Sequence, residues 1–244
     1  MIARGLDPKR IMAELTGRED GYSAGKGGSM HMFSKENNFY GGHGIVGAQV
    51  PIGTGIAFTH KYNGEKNICR TYIGDGAMNN GQVFEAFNLA ALWKLPVLYI
   101  IENNKYGMGT SVDRAAAGLD LYKRGEAFGI PGEKVDGMNV FSVIEAADKA
   151  GKYVREGNGP YIIEVQTYRY RGHSMSDPAK YRTKEELDNY KQTDPIEIVK
   201  AEILKKKIAT NDEIEKINKD TLEEIKNAAE FATNSPFPKD SELY

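Results

Sequence analysis

Between Asn67 and Tyr168 the chain alternates two kinds of apolar pattern. Asn67 to Ile73, Val97 to Ile101 and Tyr161 to Tyr168 are short runs with strand character. Gln82 to Trp93 instead repeats Val83, Phe84, Phe87, Ala90 and Ala91 at helical spacing, and Pro96 stops it before the second run. Strand, helix, strand in that order predicts a parallel crossover unit. A later helix over Val140 to Glu156 precedes the third run. The alternation predicts an α/β fold with a mainly parallel sheet flanked by helices.

The flanking segments read differently. Asp7 to Leu15 is a helix with Asp7 as N-cap and Pro8 in the first helical position. Gly21 to Gly47 is a glycine-rich loop region, and Val46 to Tyr62 reads as a helix of small residues that lets another backbone approach closely. Asp194-Pro195-Ile196-Glu197 starts a helix, and Thr210-Asn211-Asp212-Glu213 is a capping box ahead of Ile214, Ile217, Leu222 and Ile225. These two amphipathic helices define a C-terminal extension, 191–244, packed on the main domain, 1–190, or on a partner.

Composition narrows the function classes. The chain has 244 residues, 27% of them charged, with a formal net charge of -2. That balance argues against nucleic acid or an anionic membrane as main partner. No apolar run approaches the roughly 20 residues of a membrane span. Cys69 is the only cysteine, so an internal disulfide and a cysteine zinc cluster are excluded, and a reducing compartment fits. The first residues lack the apolar stretch of a signal peptide. The 27 glycines cluster between Gly17 and Gly55, as expected for close backbone packing or ligand contact.

The chemistry concentrates in Gly74-Asp75-Gly76 and Asn103-Asn104, each just past the carboxyl end of a predicted strand. If the strands are neighbours, both side chains reach one crevice, where open α/β sheets bind ligands. A carboxylate, an amide oxygen and a backbone carbonyl suit Mg²⁺, which takes phosphate oxygens and water as its remaining ligands. Gly76 and Ala77 leave room for a diphosphate, and the next helix is expected to turn its N-terminal amides toward it.

This motif pair resembles the thiamine-diphosphate signature, and three further blocks narrow the resemblance. Gly25-Lys26-Gly27-Gly28-Ser29-Met30-His31-Met32 resembles the glycine-rich block of 2-oxoacid dehydrogenase alpha subunits. Phe39-Tyr40-Gly41-Gly42-His43-Gly44-Ile45-Val46-Gly47-Ala48-Gln49 and Tyr168-Arg169-Tyr170-Arg171-Gly172-His173-Ser174-Met175-Ser176-Asp177-Pro178 resemble the versions in the pyruvate-acting branch of that family. The resemblance is dense from about Asp7 to Arg182 and weaker to Tyr244.

The resemblance implies an enzyme that decarboxylates pyruvate with thiamine diphosphate and Mg²⁺ and transfers the acetyl unit to a lipoyl group. Asp75, Asn104 and the carbonyl of Tyr106 are then the metal ligands. Gly44, Val46, Gly76, Ala77 and His173 line the cofactor, and Val46 contacts its aminopyrimidine end. His173 is the catalytic candidate, since an imidazole titrates near neutral pH and can hold or give a proton. His43 reads as a polar contact and His60 as a helix cap or surface residue. Ser174 matches a phosphorylation position of animal relatives, but the loop is shorter and lacks their further serine, which favours a bacterial type.

The implied partners are a beta subunit, which supplies the glutamate that activates the cofactor, in an α2β2 heterotetramer, and the lipoyl domain and core of dihydrolipoyl acetyltransferase. The chain alone is expected to be inactive. It also begins just after the Tyr-Arg segment that relatives use to touch the diphosphate. The location implied is cytoplasmic for a bacterial type and the mitochondrial matrix for a eukaryotic one. A branched-chain or acetoin enzyme, a transketolase-like thiamine enzyme and a truncated non-catalytic subunit are the alternatives.

Overall fold

The computed structural model describes residues 1–243. In chain order the elements are α1 (Pro8–Leu15), α2 (Gln49–Tyr62), β1 (Cys69–Gly74), α3 (Gly81–Leu92), β2 (Val97–Asn103), β3 (Tyr106–Gly107), β4 (Thr110–Ser111), α4 (Val112–Ala115), β5 (Gly132–Asp136), α5 (Val140–Arg155), β6 (Tyr161–Gln166), α6 (Lys184–Lys191), α7 (Pro195–Lys205) and α8 (Asn211–Asn234). They fall into two compact units: Met1–Ile45 together with the chain from Ile203 onward, and Val46–Glu202. The compositional boundary after residue 190 lies inside the second unit.

The second unit carries a four-stranded parallel sheet in the order β1-β2-β6-β5. Apolar residues cover both faces, as a parallel sheet requires. On one face Ile73, Tyr99, Ile101 and Ile162 pack with Val50 and Ala57 of α2 and Val83, Phe87 and Ala90 of α3. On the other, Leu98, Tyr161 and Ile163 pack with Ala146, Ala150 and Val154 of α5. The small residues of α2 have a visible purpose: a Cβ at Gly53 would stand 2.0 Å from Thr71 Oγ1 on β1, so only glycine lets the helix lie this close.

The predicted crossover is present, since β1 and β2 pair in parallel with Gly74 beside Glu102, and α3 lies between them in the chain. The strand β5 was not legible. Its Gly-Glu-Lys-Val-Asp sequence lacks an apolar run because it is the sheet edge, and its residues are only half-buried or exposed.

In the first unit α1 begins as its sequence predicts: Asp7 caps the helix by accepting from the Lys9 N–H at 2.9 Å, and Pro8 opens it. α8 begins with the expected capping box of Thr210 and Glu213. α1 packs on α8, with Ala13, Ala228 and Ala232 buried. Between α1 and Ile45 the chain forms no helix or strand beyond an isolated bridge of Ser34 and Phe39. No helix among the described residues is long and apolar enough to cross a membrane.

Candidate functional site

The pairing register places the ends of β1, β2 and β6 at one edge: Gly74 is beside Glu102, and Asn103 is beside Gln166. Asp75 and Asn104, the next residues after β1 and β2, therefore emerge together. Asp75 is 5% exposed. Burial holds this carboxyl above its ordinary value of 3.8, while the backbone amides of Asp75 and Asn104 and the charges of Arg169 and Lys105 pull it the other way.

Asp75 and Gly76 line a crevice of about 230 Å³ with Asn79, Gly107, Thr110 and residues of α4. Its floor is bare backbone. A Cβ added to Gly107 would stand 3.3 Å from Gly76 Cα and 3.8 Å from Asp75 Oδ2. A wider apolar groove, lined by Phe58, Tyr62, Leu92 and Trp93, lies instead by the segment that enters β2, at the amino end of that strand. It has no carboxylate and lies away from the edge where such sheets bind ligands.

The turn after β2 is held by a buried carboxylate that sequence reasoning missed. Glu164 on β6 is fully buried. It accepts from Asn103 Nδ2 at 2.8 Å, Gln166 Nε2 at 2.6 Å and the Tyr122 N–H at 3.0 Å. Asn103 Oδ1 in turn accepts from the Lys105 N–H at 3.2 Å, and Lys105 Nζ donates to Gln166. Lys105 sits at φ 75°, a left-handed conformation that a lysine adopts only when its surroundings enforce it. The two asparagines thus divide the work: Asn103 shapes the turn, and Asn104 keeps its side-chain oxygen buried without any partner. The signal for Glu164 was present, as a charged residue within the apolar strand Tyr161-Ile162-Ile163-Glu164-Val165.

The residues present fit a hard cation with an anion beside it. An orphaned buried amide oxygen is costly and calls for a ligand. Asp75 is a desolvated carboxylate that a cation would stabilise in its charged form. The Tyr106 carbonyl accepts from Arg169 Nη1 at 3.2 Å and retains a second lone pair. Among the described residues no group of three His, Cys, Asp or Glu could hold a metal ion alone. Mg²⁺ here would therefore complete its shell with phosphate and water.

Other expected residues are placed as follows. Ala77 is buried in a 3-10 turn, Ala77–Asn79. The helix read from Gln82 forms as α3, starting at Gly81, and the 3-10 turn and an extended Asn80 lie between it and Gly76. Any anion at Gly76 meets the amides of a short turn rather than the end of a long dipole. The Val46 side chain is 63% exposed, and its carbonyl accepts from Asn80 Nδ2 at 3.2 Å and Gln82 Nε2 at 3.1 Å. Gly44 belongs to the first unit, where a Cβ would stand 3.3 Å from His31 Nε2. His43 lies in that unit too, its ring 6.1 Å from that of Phe33. His60, in the last turn of α2, pairs with Glu65 at 2.5 Å, a surface role as expected.

His173 lies in an exposed loop organised by Asp177. Asp177 accepts from the His173 N–H at 2.7 Å, the Ala179 N–H at 2.8 Å and Tyr181 Oη at 2.8 Å. These bonds, the His173 amide first, hold the Asp177 carboxyl below its ordinary 3.8. Tyr181 connects this loop to Arg169 and Tyr106. Its hydroxyl accepts from Arg169 Nη2 at 3.0 Å, and its ring lies 5.2 Å from that of Tyr106. Arg169 therefore joins the Tyr106 carbonyl to the loop that presents His173. Nothing in the local sequence pattern distinguished Arg169 from its neighbours.

Comparison with known proteins identifies the family. Residues 1–241 match a family described as the dehydrogenase E1 component. The chain is 59% identical over its whole length to the pyruvate dehydrogenase E1 component subunit alpha of Rickettsia felis and covers 75% of that protein. It is 58% identical to the protein of the same name from Rhizobium meliloti, covering 70% of it. Identity is 55% to the somatic mitochondrial form from Bos taurus, of which 62% is covered. A family match over nearly the whole chain, together with relatives this similar, leads to one conclusion: the chain belongs to the dehydrogenase E1 component family.

Proposed function

We propose that this chain is the alpha subunit of the decarboxylating component of a pyruvate dehydrogenase complex. It binds thiamine diphosphate through Mg²⁺ and works with a beta subunit in an α2β2 heterotetramer. One observation carries the site: Asp75 and Asn104 follow paired strands at one sheet edge, the first a buried carboxylate and the second with a buried side-chain oxygen that has no partner. The names of the relatives support pyruvate over branched-chain or acetoin substrates.

When bound, the cofactor supplies the electron sink for loss of carbon dioxide from a 2-oxoacid. The residues of this chain bind and orient. Asp75, Asn104 and the Tyr106 carbonyl hold the metal, and the bare backbone of Gly76 and Gly107 leaves room for the diphosphate. Val46 and Ala77 line the cofactor. His173 holds or gives a proton to charge that develops during acetyl transfer. Asp177 fixes the backbone of His173, so the imidazole is presented from a defined loop. Lipoyl domain and acetyltransferase core are the proposed acceptor and scaffold.

The test is acetylation of a lipoyl domain by the α/β complex with pyruvate, branched-chain 2-oxoacids and acetoin in parallel. Preference for pyruvate and a requirement for Mg²⁺ and thiamine diphosphate are expected. Equal rates without either cofactor refute the reading.

A further inference from the structure

The glycine-rich block of the first unit has a buried anion at its centre. Glu14, at the end of α1, has 0% of its surface exposed. Four backbone amides converge on its carboxylate. Those of Ser23 and Gly25 donate to Oε2 at 2.7 and 2.9 Å, and those of Gly27 and Gly28 donate to Oε1 at 2.7 and 3.1 Å. Four N–H bonds use the acceptor capacity of an ionised carboxylate. No neutral side chain of that length offers the same number, and bonds to a charged acceptor are about twice as strong as neutral ones. The loop wraps tightly, since a Cβ at Gly21 would stand 2.3 Å from Oε2. The same loop then fixes His31: Ser23 Oγ donates to the His31 carbonyl, and the His31 ring lies against Gly44.

We propose that Glu14 is a positioning residue, an internal anion around which Ser23–Gly28 folds so that His31 backs the Gly44 segment. The link to the cofactor rests on reading Gly44 as a cofactor contact, as the resemblance implies. The nest itself is a receptor for a two-oxygen anion. Removing the Glu14 side chain leaves inward-facing amides and a space that formate or acetate fits.

The experiment uses the assembled α/β complex carrying Glu14→Ala or Glu14→Gln. Hydrogen exchange at Ser23–Gly28 and the affinity for thiamine diphosphate are measured with and without formate, against chloride at equal ionic strength. Glu14→Ala is expected to accelerate exchange and to weaken the cofactor by about tenfold or more, the loss of strong charge-assisted bonds. Formate, and not chloride, restores both. Glu14→Gln is expected to be nearly as impaired and not restored, because its amide fills the space and sets a donor against donors. Should Glu14→Ala fail to assemble, Glu14→Gln decides alone. Wild-type exchange and affinity in Glu14→Gln overturn the proposal, as does Glu14→Ala that ignores formate. Altered exchange with unchanged affinity overturns the link to the cofactor. It leaves the function of the site, which Asp75→Ala reads separately, untouched.

Discussion

Two aspartates mark two regions of the second unit, and they are set in opposite directions. Asp75 emerges from β1 into a desolvated crevice, and burial raises its carboxyl. Asp177 lies in the exposed loop after β6, where two backbone amides and a tyrosine hydroxyl lower it. An aspartate whose hydrogen bonds are complete organises its own chain. One whose burial outweighs the groups around it gains most from an added positive charge. The difference marks Asp75, and not Asp177, as the candidate for holding a cation.

The largest expected effect breaks the first region. Asp75→Ala removes the proposed carboxylate ligand and is expected to weaken Mg²⁺-dependent thiamine diphosphate binding by more than the about 100-fold lost when a residue behind a metal ligand is removed. Calorimetry on the α/β complex measures it. His173→Ala comes next. Lipoyl acetylation is expected to fall by about 10²- to 10⁴-fold, the usual contribution of a positioned acid or base. Cofactor affinity should be nearly unchanged, which assigns the loop to chemistry rather than binding.

Asp177→Ala should act more weakly and through His173. The loop loses its central acceptor, and turnover is expected to fall by about tenfold with cofactor binding intact, a cost of misplacement. Steady-state kinetics with a lipoyl-domain substrate separates it from His173→Ala.

The smallest effect sharpens the contrast through pH. The folded state binds a proton on Asp75 more tightly than the unfolded chain does. Stability of the metal-free complex therefore declines as pH rises from about 3.8 through the folded value, above which the charged carboxylate costs stability. Asp75→Asn should raise the thermal midpoint of the metal-free complex at neutral pH while abolishing cofactor binding. Asp177 runs the other way: its stabilisation is present above about 3.8 and is lost as pH falls through its lowered folded value. Thermal melts of Asp75→Asn and Asp177→Asn across pH, both without metal, check the opposite slopes.

Much of the frame was legible because its signals are local. Asp7 with Pro8 and Thr210 with Glu213 satisfy helix ends within four residues, and both caps form as read. The apolar runs after Asn67 and Val97 and the helical spacing between them gave the crossover, and with it the shared edge of Asp75 and Asn104. Edge strand β5 and helix α6 were missed, since neither carries a strong apolar period: β5 is uncovered on one side, and α6 buries no residue.

By itself the amino-acid order determined the layered α/β class, the strand ends where ligands gather and the two motifs that meet there. Only the tertiary structure decided which polar groups end up satisfied. Glu14, Glu164 and Asp177 look alike as charged letters. Four loop amides converge on the first, a neighbouring strand and a distant turn converge on the second, and the third closes its own loop. Hydrogen-bond partners are allotted in space and not along the chain, so a buried amide oxygen without a partner, that of Asn104, is visible only once the chain is folded.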